Sequence, residues 1–177
     1  MNNLPIAVRS VLPTGNGAFI VHSELSRTLP GYELKGCNPY LASIPGLPSR
    51  TLRQWLGDAE VVHLSPNTGH IPLPPGRRRV LTFHSFDIDP DDMEQASVAQ
   101  RLYYRHVLRP AIIAACASAD RMVAVSHFVA DCIRHHGLAE KKPLEVIHNG
   151  IDTRRFCPAT PRAEGRPLRI LFVGNPS

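Results

Sequence analysis

The sequence predicts an open α/β domain built on a doubly wound parallel sheet. Three observations carry that prediction: short apolar runs recur along the 177 residues, several stop abruptly on polar residues, and helical periodicities separate them. Buried parallel strands read as continuous apolar runs, and the C-terminal ends of such strands form the edge where ligands bind.

The first apolar run covers residues 6–12. Thr14-Gly15-Asn16-Gly17 follows, and Ala18, Val21, Leu25 and Leu29 then recur at helical spacing until Pro30-Gly31 ends the pattern. Residues 32–37 give a second, weaker strand. Residues 38–57 are irregular, although Leu52, Trp55 and Leu56 have the spacing of a short helical turn. Two buried-type strands come next: residues 61–64, ending on Ser65-Pro66-Asn67, and residues 80–83, ending on His84-Ser85.

Residues 93–117 are helical, with a break expected at Arg109-Pro110. Proline disfavours α conformation in the residue before it and suits the first turn of a new helix. The apolar stripe is Tyr104, Leu108, Ala111, Ile112 and Ala115, and Arg101, Arg105 and Arg109 form a row on another face. After a strand at residues 121–125, Ser126 caps a helix that carries Val129, Cys132, Ile133 and His136 on one stripe and ends at Gly137. A last strand leads into a His148-Asn149-Gly150 turn closing on Asp152. Ser126 and Asn149-Gly150 therefore fall on one sheet edge. Residues 1–160 read as the main domain. Residues 161–177 read as a linker and, at 168–173, the first strand of a further domain.

Composition narrows the function classes. A hydrophobic content of 43% supports a buried core in one domain, and most of the 17 prolines, among them Pro45, Pro48, Pro72 and Pro158, sit in connectors. The net charge of +5 includes the clusters Arg77-Arg78-Arg79 and Lys141-Lys142. A solvated basic surface, an anionic small ligand such as a sugar nucleotide, and an anionic membrane face all fit that charge. Nucleic acid does not, since aromatics make up 6% of the chain and no basic-aromatic interleaving occurs. Cys37, Cys116, Cys132 and Cys157 are widely spaced and form no C-x-x-C pair, so neither disulfides nor zinc are expected. The N-terminus lacks a signal-peptide pattern, and no run approaches the ~20 apolar residues that span a bilayer. A reducing cytoplasm is the expected compartment.

Gly15-Asn16-Gly17 opens like a dinucleotide fingerprint, but Ile20 stands where a third glycine belongs, and no acid ends the second strand. A nicotinamide cofactor is not expected on that pattern. A tight turn and a loop permitting close approach to a phosphate or sugar both remain open. His84, at a strand's C-terminal end, suits sugar hydroxyls or developing charge. His63 lies mid-strand and reads as a satisfied core residue. His135 and His136 are neighbours on a helix and are expected to point apart. Asp87-Ile88-Asp89 has a D-x-D form, yet its place in an acidic loop before a helix fits interaction with the helix dipole better. The arginine row fits a solvated helix face or an anionic membrane.

Taken in order, "TFHSFD" at 82–87, the long helical stretch interrupted at Arg109-Pro110, "ASADRMVAVSHF" at 117–128 and "EVIHNGID" at 145–152 resemble the family 4 (group 1) retaining glycosyltransferases. "FVGNPS" at 172–177 is similar to the opening strand and glycine turn of that family's C-terminal domain. The resemblance implies the N-terminal, Rossmann-like half of a GT-B fold, an acceptor-side domain of an enzyme that moves a sugar from a nucleotide-sugar donor with retained configuration. It implies no metal and no cofactor, the nucleotide-sugar being substrate. By position, Gly15, Asn16 and Gly17 would lie near the donor diphosphate and acceptor, and His84 would reach the transferred sugar as the catalytic candidate. Ser65, Ser126, Asn149, Gly150 and Asp152 would line the cleft between domains.

Ser85 departs from the acid that many relatives carry after the histidine. The donor-binding basic residue and paired glutamates of the second domain lie outside the sequence, so these residues alone are expected not to catalyse transfer. The expected partners are a nucleotide-sugar donor, a glycan or lipid-linked acceptor, the C-terminal domain and, peripherally, an anionic membrane. Bacterial cell-surface polysaccharide or glycolipid synthesis is the expected setting. The alternative is a stand-alone binding module, or an acceptor subunit of a split transferase paired with a separate donor-binding chain.

Overall fold

The structure, a computed structural model, describes residues 6–38, 50–86, 96–140 and 142–157. The Asp87-Ile88-Asp89 motif, the start of the helix at residue 93, Lys141, and the expected linker and strand at 161–177 lie outside the described residues.

Among the described residues, six strands form one sheet: β1 (Val8–Pro13), β2 (Tyr32–Cys37), β3 (Val61–Leu64), β4 (Arg78–Phe83), β5 (Arg121–Ala124) and β6 (Leu144–Val146). Their order is β2-β1-β3-β4-β5-β6, and every pairing is parallel. The chain leaves β1 towards β2 and then crosses back to β3 on the other side of β1. That reversal creates a crevice beyond the C-terminal ends of β1 and β3. The doubly wound parallel sheet predicted from the sequence is the fold observed.

Among the described residues, five α-helices accompany the sheet: α1 (Gly17–Thr28), α2 (Arg50–Gly57), α3 (Val98–Tyr103), α4 (Arg109–Ser118) and α5 (His127–His135). Strand alternation gives the two sheet faces different chemistry. On one face Val11, Leu64, Leu81, Phe83 and Met122 meet Leu56 of α2, Ile112 and Ala115 of α4, and Ile133 of α5 in one apolar core. On the other face the strands offer Ser10, His63 and Thr82, and α1 lies over them through His22, which is fully buried. This corrects the stripe expected for α1. Leu29 is 49% exposed and caps the helix rather than packing beneath it, while His22 is the residue driven deepest.

The expected break at Arg109-Pro110 is also corrected. The helix runs on through a π-helical segment, Tyr104–Leu108, in which the Arg109 N–H donates to the Tyr104 carbonyl five residues back. The widened turn accommodates a proline that has no N–H to return to the preceding turn. The stripe of Leu108, Ala111, Ile112 and Ala115 is buried as predicted. The helix starts at a capping box, with the Ser97 hydroxyl and the Gln100 side chain each satisfying the other's backbone N–H.

Arg77-Arg78-Arg79 does not form one solvated patch. Arg79 is buried, and its guanidinium donates to the Gly69 and Ile71 carbonyls and to the Ser118 hydroxyl. His135 and His136 do not diverge, because their rings meet edge to face at 5.4 Å while His136 also packs on Phe86 at 4.9 Å. Cys37, Cys116, Cys132 and Cys157 are not joined in disulfides.

Candidate functional site

Three loops converge at the switch point. The loop after β1 carries Asn16, whose side chain accepts from the Phe19 N–H at 2.8 Å and starts α1. Gly15 precedes it at φ +85°, a left-handed conformation that glycine adopts without strain. Gly17 has no such requirement, and a Cβ there would meet nothing within 4 Å. The loop after β3 brings Ser65 and Asn67, and Thr68 anchors it by donating to the Val11 carbonyl at 3.0 Å. The loop after β4 brings His84.

Together these loops enclose a cavity of 530 Å³, to which Ile20 and Val21 of α1, Ile112 of α4 and Asn149 contribute walls. Its volume is in the range of small-molecule sites. Among the described residues that line it there is no Asp, Glu, Lys or Arg. The walls offer hydroxyl, amide and imidazole groups on an apolar frame.

Of the residues anticipated from the sequence, Asn16, Gly17, Ser65, His84 and Asn149 line this cavity, and Gly15 shapes its first loop. The others lie apart from it. Ser126 caps α5 by accepting from the Val129 N–H. Gly150 is exposed, and the Asp152 carboxylate accepts from the Arg154 and Arg155 N–H groups in a local turn.

Behind His84 stands a group that sequence reasoning missed. His84 Nε2 lies 3.1 Å from His22 Nε2, and His22 Nδ1 lies 2.8 Å from both the Ser10 and Tyr32 hydroxyls. The Tyr32 hydroxyl is also 2.8 Å from His63 Nδ1, and His63 Nε2 lies 2.7 Å from Thr82 Oγ1. The satisfied role expected for His63 thus holds, within a network rather than alone. The available signal was His22 itself, which shares a helical stripe with Ala18 and Leu25. A histidine among small and apolar residues on a core-facing stripe needs buried partners.

Burial, reinforced by His63 and His84 beside it, holds the His22 imidazole down to about 2. Burial and then His84 lower His63 to about 4, and burial alone lowers His84. All three rings are therefore neutral near pH 7. An unfolded chain protonates them near 6.5, so the unfolded state binds more protons than the folded one between that value and the depressed folded values. Stability contributed by the cluster is present above about pH 6.5 and is lost as pH falls toward 4 and below. Urea midpoints measured from pH 8 to pH 4 are expected to fall steadily below pH 6.5. A midpoint unchanged across that range would contradict the buried neutral cluster.

Among the described residues, no group of three His, Cys, Asp or Glu side chains can hold a metal ion, and no helix is long and apolar enough to cross a membrane. The parallel sheet carries, at its switch point, a cavity whose described lining offers hydroxyl, amide and imidazole groups. The sequence profile of Glycosyltransferase Family 4 matches residues 8–155, and the chain belongs to that family. No curated protein matches the chain.

Proposed function

We propose that this domain is the acceptor side of a retaining glycosyltransferase that moves a sugar from a nucleotide-sugar donor onto a glycan or lipid-linked acceptor. The observation that carries this reading is the cavity at the sheet's C-terminal edge, uncharged among its described lining residues, together with the family of the chain. Sugar hydroxyls both donate and accept, and they suit walls of serine, asparagine and histidine. A diphosphate needs cations or several converging N–H groups. The first turn of α1 supplies backbone N–H groups from this side, but the described lining residues supply no cation. The proposal therefore gives most of the donor's binding to a second domain facing the same edge, with no resident metal.

Calorimetry of the 177-residue chain against nucleotide-sugars is expected to give only weak heats. Tight donor binding to these residues alone would sink the division of labour.

The proposed setting is the cytoplasmic face of a bacterial membrane, in the synthesis of surface polysaccharide or glycolipid. Arg101, Arg105 and Arg109 are all exposed, as are Val98 and Leu102, and residues 96–119 contain no Asp or Glu. Such a surface suits anionic lipid, at about 1 kcal/mol per basic residue near the bilayer. Replacing the three arginines by glutamine is expected to lower binding to phosphatidylserine vesicles by on the order of 100-fold, given that magnitude per charge. Equal sedimentation of both proteins with those vesicles would remove the membrane from the proposal.

A further inference from the structure

We propose that His22, Tyr32 and His63 are positioning residues that fix the proton order of His84, so that its Nδ1 is held unprotonated, as a hydrogen-bond acceptor. One hydrogen-bonded string runs to His84, and its protons can be counted. Its members are Thr82, His63, Tyr32, Ser10, His22 and His84, drawn from β4, β3, β2, β1, α1 and the end of β4. None of the six is a carboxylate or a fixed cation.

Each neutral imidazole has one N–H and one lone pair, and the Tyr32 hydroxyl has one proton to give. Tyr32 lies between His63 Nδ1 and His22 Nδ1, so its proton goes to one of them and its oxygen accepts from the other. Two orders result, and they are mirror images along the string.

The Ser10 hydroxyl decides between them. It lies 2.8 Å from the same His22 Nδ1 that Tyr32 approaches at 2.8 Å. If His22 Nδ1 carried the lone pair, two hydroxyls would converge on one acceptor orbital. Either both protons would crowd it, or one oxygen lone pair would face it directly. If His22 Nδ1 carries the proton, a single N–H is shared between two oxygens, a common three-centre arrangement. The second order is favoured.

The rest follows by elimination. Tyr32 donates to His63 Nδ1, and His63 Nε2–H donates to Thr82. His22 Nε2 holds a lone pair and accepts from His84 Nε2–H. His84 Nδ1 is then an unprotonated nitrogen. It is buried, and it has no hydrogen-bond partner among the described residues. The depressed ionisation of all three rings agrees with a neutral string.

The consequence is one of selection. The lone pair, on a ring that lines the cavity, puts negative potential beside it, which favours a neutral O–H group of the ligand over a phosphate or carboxylate oxygen. This inference rests on the cavity being a ligand site but not on the transfer reaction. Its test reads protons rather than turnover, so the two readings fail separately.

Long-range nitrogen–proton NMR on the ¹⁵N-histidine-labelled chain at pH 7.5 assigns the tautomer of each ring. The expected pattern is Nδ1–H for His22 and Nε2–H for His63 and His84, each a single tautomer. His84 found as Nδ1–H, as an imidazolium, or as an even mixture would overturn the proposal. In Tyr32→Phe, the link between His63 and His22 is gone, and loss of the single-tautomer signature is expected at His63. His148, which bonds the Val125 carbonyl outside the string, serves as the internal reference and is expected not to move. If Tyr32→Phe leaves the His63 tautomer as it was, the string does not transmit proton order. Should that variant unfold, the wild-type pattern still decides the matter.

Discussion

Replacing His84 with alanine is expected to lower sugar transfer by on the order of 100-fold, the scale of a lost proton-handling or charge-stabilising group, in a transfer-competent protein carrying this domain. Thermal stability should change little. The ring lines the cavity at the end of β4, and among the described residues its one side-chain hydrogen bond is the contact with His22. A typical neutral hydrogen bond contributes only about 1 kcal/mol. The loss should appear in kcat more than in KM if His84 acts on the transferred group, and in KM if it only holds a hydroxyl. Asparagine offers an amide oxygen near the position of Nδ1, and His84→Asn is expected to recover part of the activity. Wild-type rates in His84→Ala would return the histidine to a structural role.

Replacing Arg79 with alanine is expected to destabilise the fold by about 3 kcal/mol, the scale of lost charge-assisted hydrogen bonds at a buried site. The guanidinium donates to Gly69 O at 2.7 Å, Ile71 O at 2.9 Å and the Ser118 hydroxyl, and it ties the loop after β3 to the end of α4. Deleting it strands those oxygens in the interior. It also frees the segment that carries Ser65 and Asn67 into the cavity, so ligand binding should weaken along with stability. For a chain of this size the midpoint should fall by roughly 6–12 °C. Arg79→Lys keeps a charge but loses the planar fork that spans two carbonyls, and an intermediate loss is expected. A midpoint within 2 °C of wild type, taking about that value as the measurement limit of a 1 kcal/mol change, would show that the loop is held by other contacts.

Much of the fold was legible in the sequence because it rests on local regularities. The runs at residues 61–64 and 80–83, and the stripe of Leu108, Ala111, Ile112 and Ala115, report burial on one face of a strand or helix. They lie where the periodicity puts them. The loops after β1, β3 and β4 were legible for the same reason, since each follows an apolar strand at once.

Local pattern misled where a distant partner changed a residue's environment. Arg79 reads as surface within an arginine triplet, and it is buried because Gly69, Ile71 and Ser118 give its protons somewhere to go. The π segment at Tyr104–Leu108 is another case, since a missing N–H at Pro110 admits either a break or a wider turn. Packing of Leu108 and Ile112 into the core favours the continuous helix.

The sequence by itself determined the class of fold, the order of its elements and the strand ends that meet at a ligand edge. Periodicity and turn chemistry act over a few residues, so they are written locally. Only the tertiary structure decided which residues of that edge share a cavity. Asn149 joins it, while Ser126 is taken up in capping a helix and Asp152 in a turn. Tertiary structure alone also brought His22, Tyr32 and His63 behind His84. Their hydrogen bonds join residues 10 to 62 positions apart, and sheet register rather than sequence spacing sets such contacts.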